Sequence, residues 1–296
     1  MADWGICTTV KAPFAEVEAF VAYHLSIGAA HIWLHFDDPD DPAAAAFEGN
    51  PKLTVVKCDE TYWINLLGSR PDAHQPRQAA NMKRVYDTAP LDWLAHIDVD
   101  EFIYSDEPIG SVLDTASDCM VRMRPWEAVH SPQGLPVFDA NLFRAPLKGK
   151  DLRQRWRQSF RQYAPALRKG ALSHVAGKSF FRTGRTDLEP RIHGAWVDGQ
   201  QLRGIPFHDG IKLLHFHAQN RADWIARLPY RLEHGGYRGN EEMKRHLNGA
   251  SVDDIAAFYD QVMTIKPWLA LKLAEENLLI EANLDLPAKV ATFRQP

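Results

Sequence analysis

The sequence predicts an α/β protein with a mainly parallel central sheet. Over the first hundred residues, β-prone runs alternate with helical stretches of 10–15 residues, a pattern typical of right-handed β-α-β units. Acidic clusters follow two of the predicted strands, and open parallel sheets bind ligands at the carboxyl ends of their strands. A chain of 296 residues with 45% hydrophobic and 24% charged residues suits one globular domain, alone or with a helical appendage.

The elements are predicted in chain order from hydrophobic spacing and turn residues. Strands are expected at 5–10, 31–36, 53–57 and 91–97, and helices at 14–27 and 75–88. Proline and glycine make residues 130–150 irregular, and helical spacing returns from Ala222 onward. The predicted domains are residues 1–220, including an insertion at 130–170, and a C-terminal helical extension at 221–296.

Charge and cysteine content narrow the function class and the compartment. A net charge of −4 offers no general attraction to nucleic acid or to an anionic membrane. Cys7, Cys58 and Cys119 are far apart and lack C-x-x-C spacing, so they are expected to be buried thiols in a reducing compartment. The sequence shows neither a signal peptide nor an apolar run near the ~18–20 residues of a spanning helix, which predicts a cytoplasmic protein.

Three carboxylates, Asp98, Asp100 and Glu101, follow the apolar run 93–97. In an extended segment Asp98 and Asp100 point to the same side, while Val99 points into the core. Two converging carboxylates suit Mg²⁺ or Mn²⁺, and such an ion could bridge the phosphates of a nucleotide. The competing interpretation is a turn of solvated acids.

The segment Asp98-Val99-Asp100-Glu101-Phe102 resembles the DxD motif of GT-A glycosyltransferases, in particular a bacterial family-2-like group with a D-x-D-E-F motif. Residues 6–41, with the phrase Tyr23-His24-x-x-x-Gly28, resemble the opening β-α-β of that group. Residues 213–217 followed by Trp224 resemble its closing strand. The likeness covers roughly the first 230 residues and is weak between about 125 and 210. Lys11-Ala12 departs from the Asn-Glu pair that is usual after the first strand.

The resemblance implies a GT-A fold and a metal-dependent glycosyltransferase. Mn²⁺ or Mg²⁺ would assist transfer of a sugar from a UDP- or GDP-sugar to a hydroxyl of a cell-surface glycan or lipid-linked acceptor, with inversion expected. The predicted metal ligands are Asp98, Asp100, His215 and His217, with His215 the better match to the closing strand. The predicted donor contacts are Thr8, Lys11, Asp37, Asp38, Arg77, Gln78 and Asp98. The unranked candidates for the catalytic base are Asp209, Asp139 and Glu127.

A basic segment from Arg153 to Lys169 contains interleaved aromatic residues and is predicted to face the acceptor. The acceptor candidates are Arg155, Trp156, Arg157 and Lys178. Arginine forks suit phosphate or carboxylate groups, which favours an anionic or lipid-carried acceptor and leaves open peripheral contact with the inner membrane face. The alternative is a solvated surface helix. Two other functions use the same frame: a metal-dependent phosphate-ester hydrolase and a non-catalytic carbohydrate-binding protein.

Overall fold

The computed structural model describes residues 1–130, 141–148 and 152–295, with only the backbone described for residues 152, 153, 155 and 156. The described strands are β1 (Trp4–Val10), β2 (His31–Phe36), β3 (Leu53–Lys57), β4 (Trp93–His96), β5 (Glu101–Tyr104), β6 (Met120–Val129), β7 (Leu142–Arg144), β8 (Lys178–Arg182), β9 (Leu188–Arg191), β10 (Gly194–Val197), β11 (Gln200–Gln201), β12 (Phe207–His215) and β13 (Leu279–Glu281). The described α-helices are α1 (Phe14–Ser26), α2 (Glu60–Leu67), α3 (His74–Thr88), α4 (Ile109–Asp114), α5 (Leu152–Phe160), α6 (Arg221–Glu233), α7 (Glu241–Leu247), α8 (Val252–Met263), α9 (Pro267–Glu275) and α10 (Leu286–Phe293). Pro42–Phe47 and Arg161–Ala166 are 3₁₀ helices.

The chain forms two compact units that each combine separate stretches of sequence. Unit 1 comprises Met1–Arg124, Ala176–Leu213 and Asp285–Pro296, and unit 2 comprises Pro125–Val175 and Leu214–Leu284. The four boundaries between them fall inside β6, shortly before β8, inside β12 and just before α10. They therefore do not coincide with the predicted division between residues 220 and 221.

Unit 1 is built on a mixed sheet with the strand order β3-β2-β1-β4-β8-β6. The pairs β3–β2, β2–β1 and β1–β4 are parallel, whereas β4–β8 and β8–β6 are antiparallel. The predicted α/β class is confirmed, and the parallel strands are those of the N-terminal β-α-β units. A separate antiparallel sheet is formed by β9, β10 and β11.

Helix α1 is fixed to the sheet of unit 1 by the adjacent residues Tyr23 and His24. The Tyr23 hydroxyl donates to the carbonyl oxygen of Ile103 on β5 at 2.9 Å, and His24 Nε2 accepts from the Ile103 N–H at 3.2 Å. His24 Nδ1 lies 2.8 Å from the carbonyl oxygen of Phe20 and must donate to it. The Tyr-His phrase therefore has a structural role, because it satisfies both backbone groups of one strand residue.

Unit 2 has its own core, in which the C-terminal helices pack with the segment before them. Trp224, Leu228, Phe258 and Tyr259 from α6 and α8 share a buried cluster with residues around Phe160. This packing explains why the helices predicted at 221–296 do not form a separate extension. The antiparallel pairs β6–β7 and β7–β13 complete the secondary structure of this unit.

No helix among the described residues has the length and apolar character needed to cross a bilayer.

Candidate functional site

The candidate site of unit 1 lies at the carboxyl ends of the parallel strands. Strands β2 and β4 flank β1, and Asp37 and Asp98 follow β2 and β4 near their carboxyl ends. Strand order reverses at β1, since β2 and β3 lie on one side and β4 on the other. Open α/β sheets bind ligands in the crevice at such a reversal. The topology therefore brings two predicted donor contacts, Asp37 and Asp98, to the same edge of the sheet.

Two consecutive residues of α3 hold these two carboxylates. Arg77 makes a bidentate pair with Asp37, with Nε 2.6 Å from Oδ1 and Nη2 2.8 Å from Oδ2. Its Nη1 donates to the carbonyl oxygens of Pro71 and Asp72, both at 2.8 Å. Gln78 Nε2 donates to Asp98 Oδ1 at 2.5 Å. The predicted polar residues of this helix thus orient the acidic side chains.

Asp37 is a buried carboxylate surrounded by positive charge. Burial acts to raise its pKa, but the hydrogen bonds and charge of Arg77, with the charges of Arg70 and Lys11, hold that pKa below its usual range. Arg70 Nη2 lies 3.2 Å from Asp37 Oδ1, a contact that the sequence analysis missed. Arg70 lies on the connection between α2 and α3, where no hydrophobic periodicity indicates which side chains contact the site.

An open cavity of about 490 Å³ adjoins Asp37 and Arg70. Its other lining residues are Pro39, Cys58, Asp59, Glu60, Ile64, Gly68 and Ser69. Helix α2 begins at this wall, where Asp59 Oδ1 caps it by accepting from the backbone N–H of Tyr62 at 2.7 Å. The volume and mixed lining suit a small polar ligand.

The acidic segment is a turn rather than the extended segment expected from the sequence. Strand β4 ends at His96, and the backbone N–H of Glu101 donates to the carbonyl oxygen of Asp98 at 3.0 Å. Glu101 Oε2 accepts from the backbone N–H of Asp98 at 2.8 Å, which closes the turn from the other side. Val99 is buried as predicted, while Asp98 and Asp100 are half-buried. Glu101 is fully buried and fixes the shape of the turn.

Lys178 lies against this acidic turn, although the sequence analysis placed it among the acceptor contacts. Its ammonium is 2.8 Å from Asp98 Oδ2 and 3.4 Å from Glu101 Oε2, and the side chain is only 1% exposed. Burial acts to lower the pKa of Lys178, but the two carboxylates raise it above its ordinary value. Lys178 is therefore a positively charged part of the turn, and its burial makes it unsuited to contact an acceptor.

The remaining predicted donor contacts differ in exposure. Thr8 on β1 is buried, whereas Lys11 and Asp38 are exposed. Asp38 Oδ1 accepts from the backbone N–H of Asp40 at 3.1 Å, a contact typical of an ordinary aspartate turn. These residues lie on β1 or in the loops that follow β1 and β2, and only Asp37 among the acids of 37–41 is buried.

The predicted histidine ligands belong to unit 2. His215 ends β12, and His217 follows outside the strand, so the strand begins earlier and ends sooner than the closing strand expected at residues 213–217. The ring centroids of His215 and His217 are 5.1 Å apart, and those of His174 and His215 are 5.0 Å apart. His217 Nε2 lies 2.6 Å from the Tyr237 hydroxyl, a contact that orients the imidazole. His174 is a neighbour that sequence spacing could not reveal.

The three base candidates have different environments. Glu127 in unit 2 is 2% exposed. Its carboxylate accepts from Arg144 Nε and Nη2 at 3.1 and 2.6 Å, and from the backbone N–H groups of Leu172 and Ser173 at 3.3 and 2.7 Å. Asp209 in unit 1 is exposed on β12, and Asp139 lies outside the described residues. We interpret Glu127 as a structural acid, since it is buried and both of its oxygens accept hydrogen bonds from the protein.

The predicted acceptor segment includes helix α5 and the 3₁₀ helix after it. Arg157 and Arg161 are exposed, whereas the side chains of Arg153, Arg155 and Trp156 lie outside the described residues. Tyr163 instead packs against the core of unit 2, with its ring centroid 4.9 Å from that of Phe258. Of the predicted aromatic residues here, Tyr163 therefore belongs to the core.

Comparison of the chain with protein-family models and with curated proteins finds no match.

Proposed function

We propose that the protein is a GT-A-type glycosyltransferase that transfers a sugar from a nucleoside-diphosphate donor to a hydroxyl acceptor. One observation carries the proposal: Asp37 and Asp98 lie at the carboxyl edge on either side of β1, held by the adjacent residues Arg77 and Gln78. This arrangement suits a nucleotide, because its base and ribose present donors to carboxylates while its phosphates need positive charge. The cavity beside Asp37 and Arg70 would receive the nucleoside.

The carboxylates of the acidic turn do not suit a divalent cation equally well. Both oxygens of Asp98 already accept hydrogen bonds, from Gln78 and Lys178. We therefore assign Asp98 to the ribose side and Asp100 to the metal. Carboxylate oxygens suit Mn²⁺ or Mg²⁺. Such an ion supplies Lewis-acid stabilisation of the leaving diphosphate.

The chain must also supply a base if the reaction inverts at the sugar carbon. Asp209 is the candidate that we retain, because it is exposed, whereas Glu127 is buried and held by Arg144 and backbone N–H groups. The exposed Arg157 of α5 and Arg161 just after it remain proposed contacts of an anionic or lipid-linked acceptor. The reaction class rests on the donor site and does not depend on these two assignments.

The proposal is tested by calorimetric titration of UDP and GDP with Mn²⁺ and with EDTA. Wild-type protein should bind one of them with Mn²⁺ and lose at least about tenfold in affinity with EDTA. Asp100→Ala should remove this metal dependence without unfolding the protein, because Asp100 lies in a half-exposed turn.

Asp106→Ala is the matched control, since it removes an exposed carboxylate a few residues further along. Its affinity should equal that of the wild type. Equal nucleotide affinity with Mn²⁺ and with EDTA in the wild type would contradict a metal-dependent donor site. Release of phosphate from simple esters without any sugar transfer would instead identify a hydrolase.

A further inference from the structure

Lys178 is the first residue of β8, and its side chain extends into the acidic turn. Strand β8 is antiparallel to β4, with Ala95 opposite Phe180 and Leu94 opposite Phe181. Following this register, the start of β8 lies beside the end of β4, where the acidic turn begins. Gly177, just before the strand, has a positive φ of 71°, and its carbonyl oxygen lies 2.8 Å from His193 Nδ1. The backbone therefore fixes the position from which Lys178 extends.

Lys178 contacts two of the three carboxylates of the turn. Its ammonium donates to Asp98 Oδ2 at 2.8 Å and lies 3.4 Å from Glu101 Oε2. Because Lys178 and Glu101 are 1% and 0% exposed, water screens this charge cluster poorly. The ammonium thus occupies Oδ2 of Asp98, which is no longer fully available as a metal-ligand oxygen.

We infer that Lys178 is an internal cation that keeps the acidic turn from binding a divalent ion tightly until a diphosphate supplies further oxygens. The inference rests on the proposed function and adds an order of binding, in which metal and nucleotide enter together. A divalent ion needs about six ligands and draws its strength from carboxylate charge. Because the ammonium of Lys178 offsets one of the two negative charges of Asp98 and Glu101, the turn presents less negative charge to an ion that arrives alone. Lys178 is a positioning residue in this scheme.

The test measures Mn²⁺ binding without nucleotide, from the loss of the free-ion electron paramagnetic resonance signal. Wild-type protein should bind Mn²⁺ weakly. Lys178→Met, which fills a similar volume without charge, should bind Mn²⁺ about tenfold more tightly or better, because a unit positive charge near the ion has been removed. Lys178→Arg retains the charge and should behave like the wild type. The double variant K178M/D98N should lose most of the gain, because the freed carboxylate is then absent.

Lys178→Gln is the second neutral variant, for use if Lys178→Met does not fold, because its amide can still donate to Asp98. The inference is overturned if the folded neutral variant binds Mn²⁺ no more tightly than the wild type. It is also overturned if Lys178→Arg gains affinity like the neutral variants.

Nucleotide titrations on the same proteins separate this inference from the proposed function. Nucleotide should tighten Mn²⁺ binding strongly in the wild type and less in the neutral variant. The wild type could fail to bind any nucleotide while Lys178→Met still gains Mn²⁺ affinity. That result would reject the proposed glycosyltransferase function and the order of binding, but it would leave the effect of the Lys178 charge on Mn²⁺ affinity standing. The reverse result, nucleotide binding without a gain, would reject only the role of Lys178.

Discussion

At the residue scale, the environment of a carboxylate decides whether it can take part in chemistry. Glu127 and Asp98 are both acidic residues that the sequence marks as functional, yet their contacts differ. Glu127 is enclosed by Arg144 and two backbone N–H groups, and the other arm of that arginine donates to the carbonyl oxygen of Val262 at 2.8 Å. Burial acts to raise the pKa of Glu127, but Arg144 and the backbone hydrogen bonds hold it below its usual range. A buried carboxylate with a lowered pKa and several hydrogen bonds is a poor general base.

The substitution Glu127→Gln should therefore destabilise the protein. Removing the charge leaves Arg144 buried at 4% exposure without its counter-ion, which costs about 3–5 kcal/mol in comparable buried pairs. Urea denaturation measures this loss. The control Asp209→Asn alters an exposed carboxylate and should change stability by less than about 0.5 kcal/mol. Wild-type stability with abolished sugar transfer in Glu127→Gln would reinstate Glu127 as the base.

At the scale of the elements, hydrophobic spacing was sufficient to predict most of unit 1. Strands β1, β2 and β3 and helices α1 and α3 lie within a few residues of their predicted bounds, because each has a strong apolar period and a clear terminating residue. The pairing of Lys178 with Asp98 could not be predicted, since 80 residues separate them and no local period links them. The division into two units was missed for the same reason, because it depends on packing between distant stretches. The local sequence pattern thus predicts individual helices and strands, whereas the site also depends on contacts between residues that are far apart in the sequence.

Gly5 shows how closely the strands of the parallel sheet approach. A Cβ atom at this position would lie 2.7 Å from the His31 carbonyl oxygen on β2 and 2.6 Å from Leu91 Cδ1. Since the first of these atoms belongs to the backbone, Gly5→Ala should force the strands apart and destabilise the protein by about 1–3 kcal/mol. Gly194→Ala is the matched control, because a Cβ at that strand glycine meets no atom within 4 Å. Equal midpoints of chemical denaturation for the two variants would contradict this account of β1.

At the scale of the whole molecule, buried histidines link stability to pH. Unit 1 buries His24, His35 and His96 at 0–1% exposure. Desolvation by burial is the largest cause that lowers their pKa values, to about 3 for His24, about 4 for His35 and about 3 for His96. His24 must be neutral to keep its place, because its Nε2 accepts a hydrogen bond from the backbone N–H of Ile103. The native state therefore resists protonation at three sites that the unfolded chain protonates freely.

We expect the protein to lose stability steeply as pH falls below about 6.5. An unfolded histidine takes up a proton near pH 6.5, whereas these three remain neutral in the folded state until about pH 4 or 3, so protons favour unfolding throughout that window. Each contributes a slope that approaches about 1.4 kcal/mol per pH unit, which is large against a typical total stability of about 5–15 kcal/mol. Asp37 and Glu127, whose pKa values are lowered, lose their contributions only at still lower pH. Denaturation midpoints at pH 7.5, 6.5 and 5.5 should show the decline. His35→Gln should reduce its slope, and the exposed control His234→Gln should leave it unchanged. A midpoint that stays constant from pH 7.5 to 5 would contradict this prediction. It would show that the buried imidazoles take up protons in the native state as readily as in the unfolded chain.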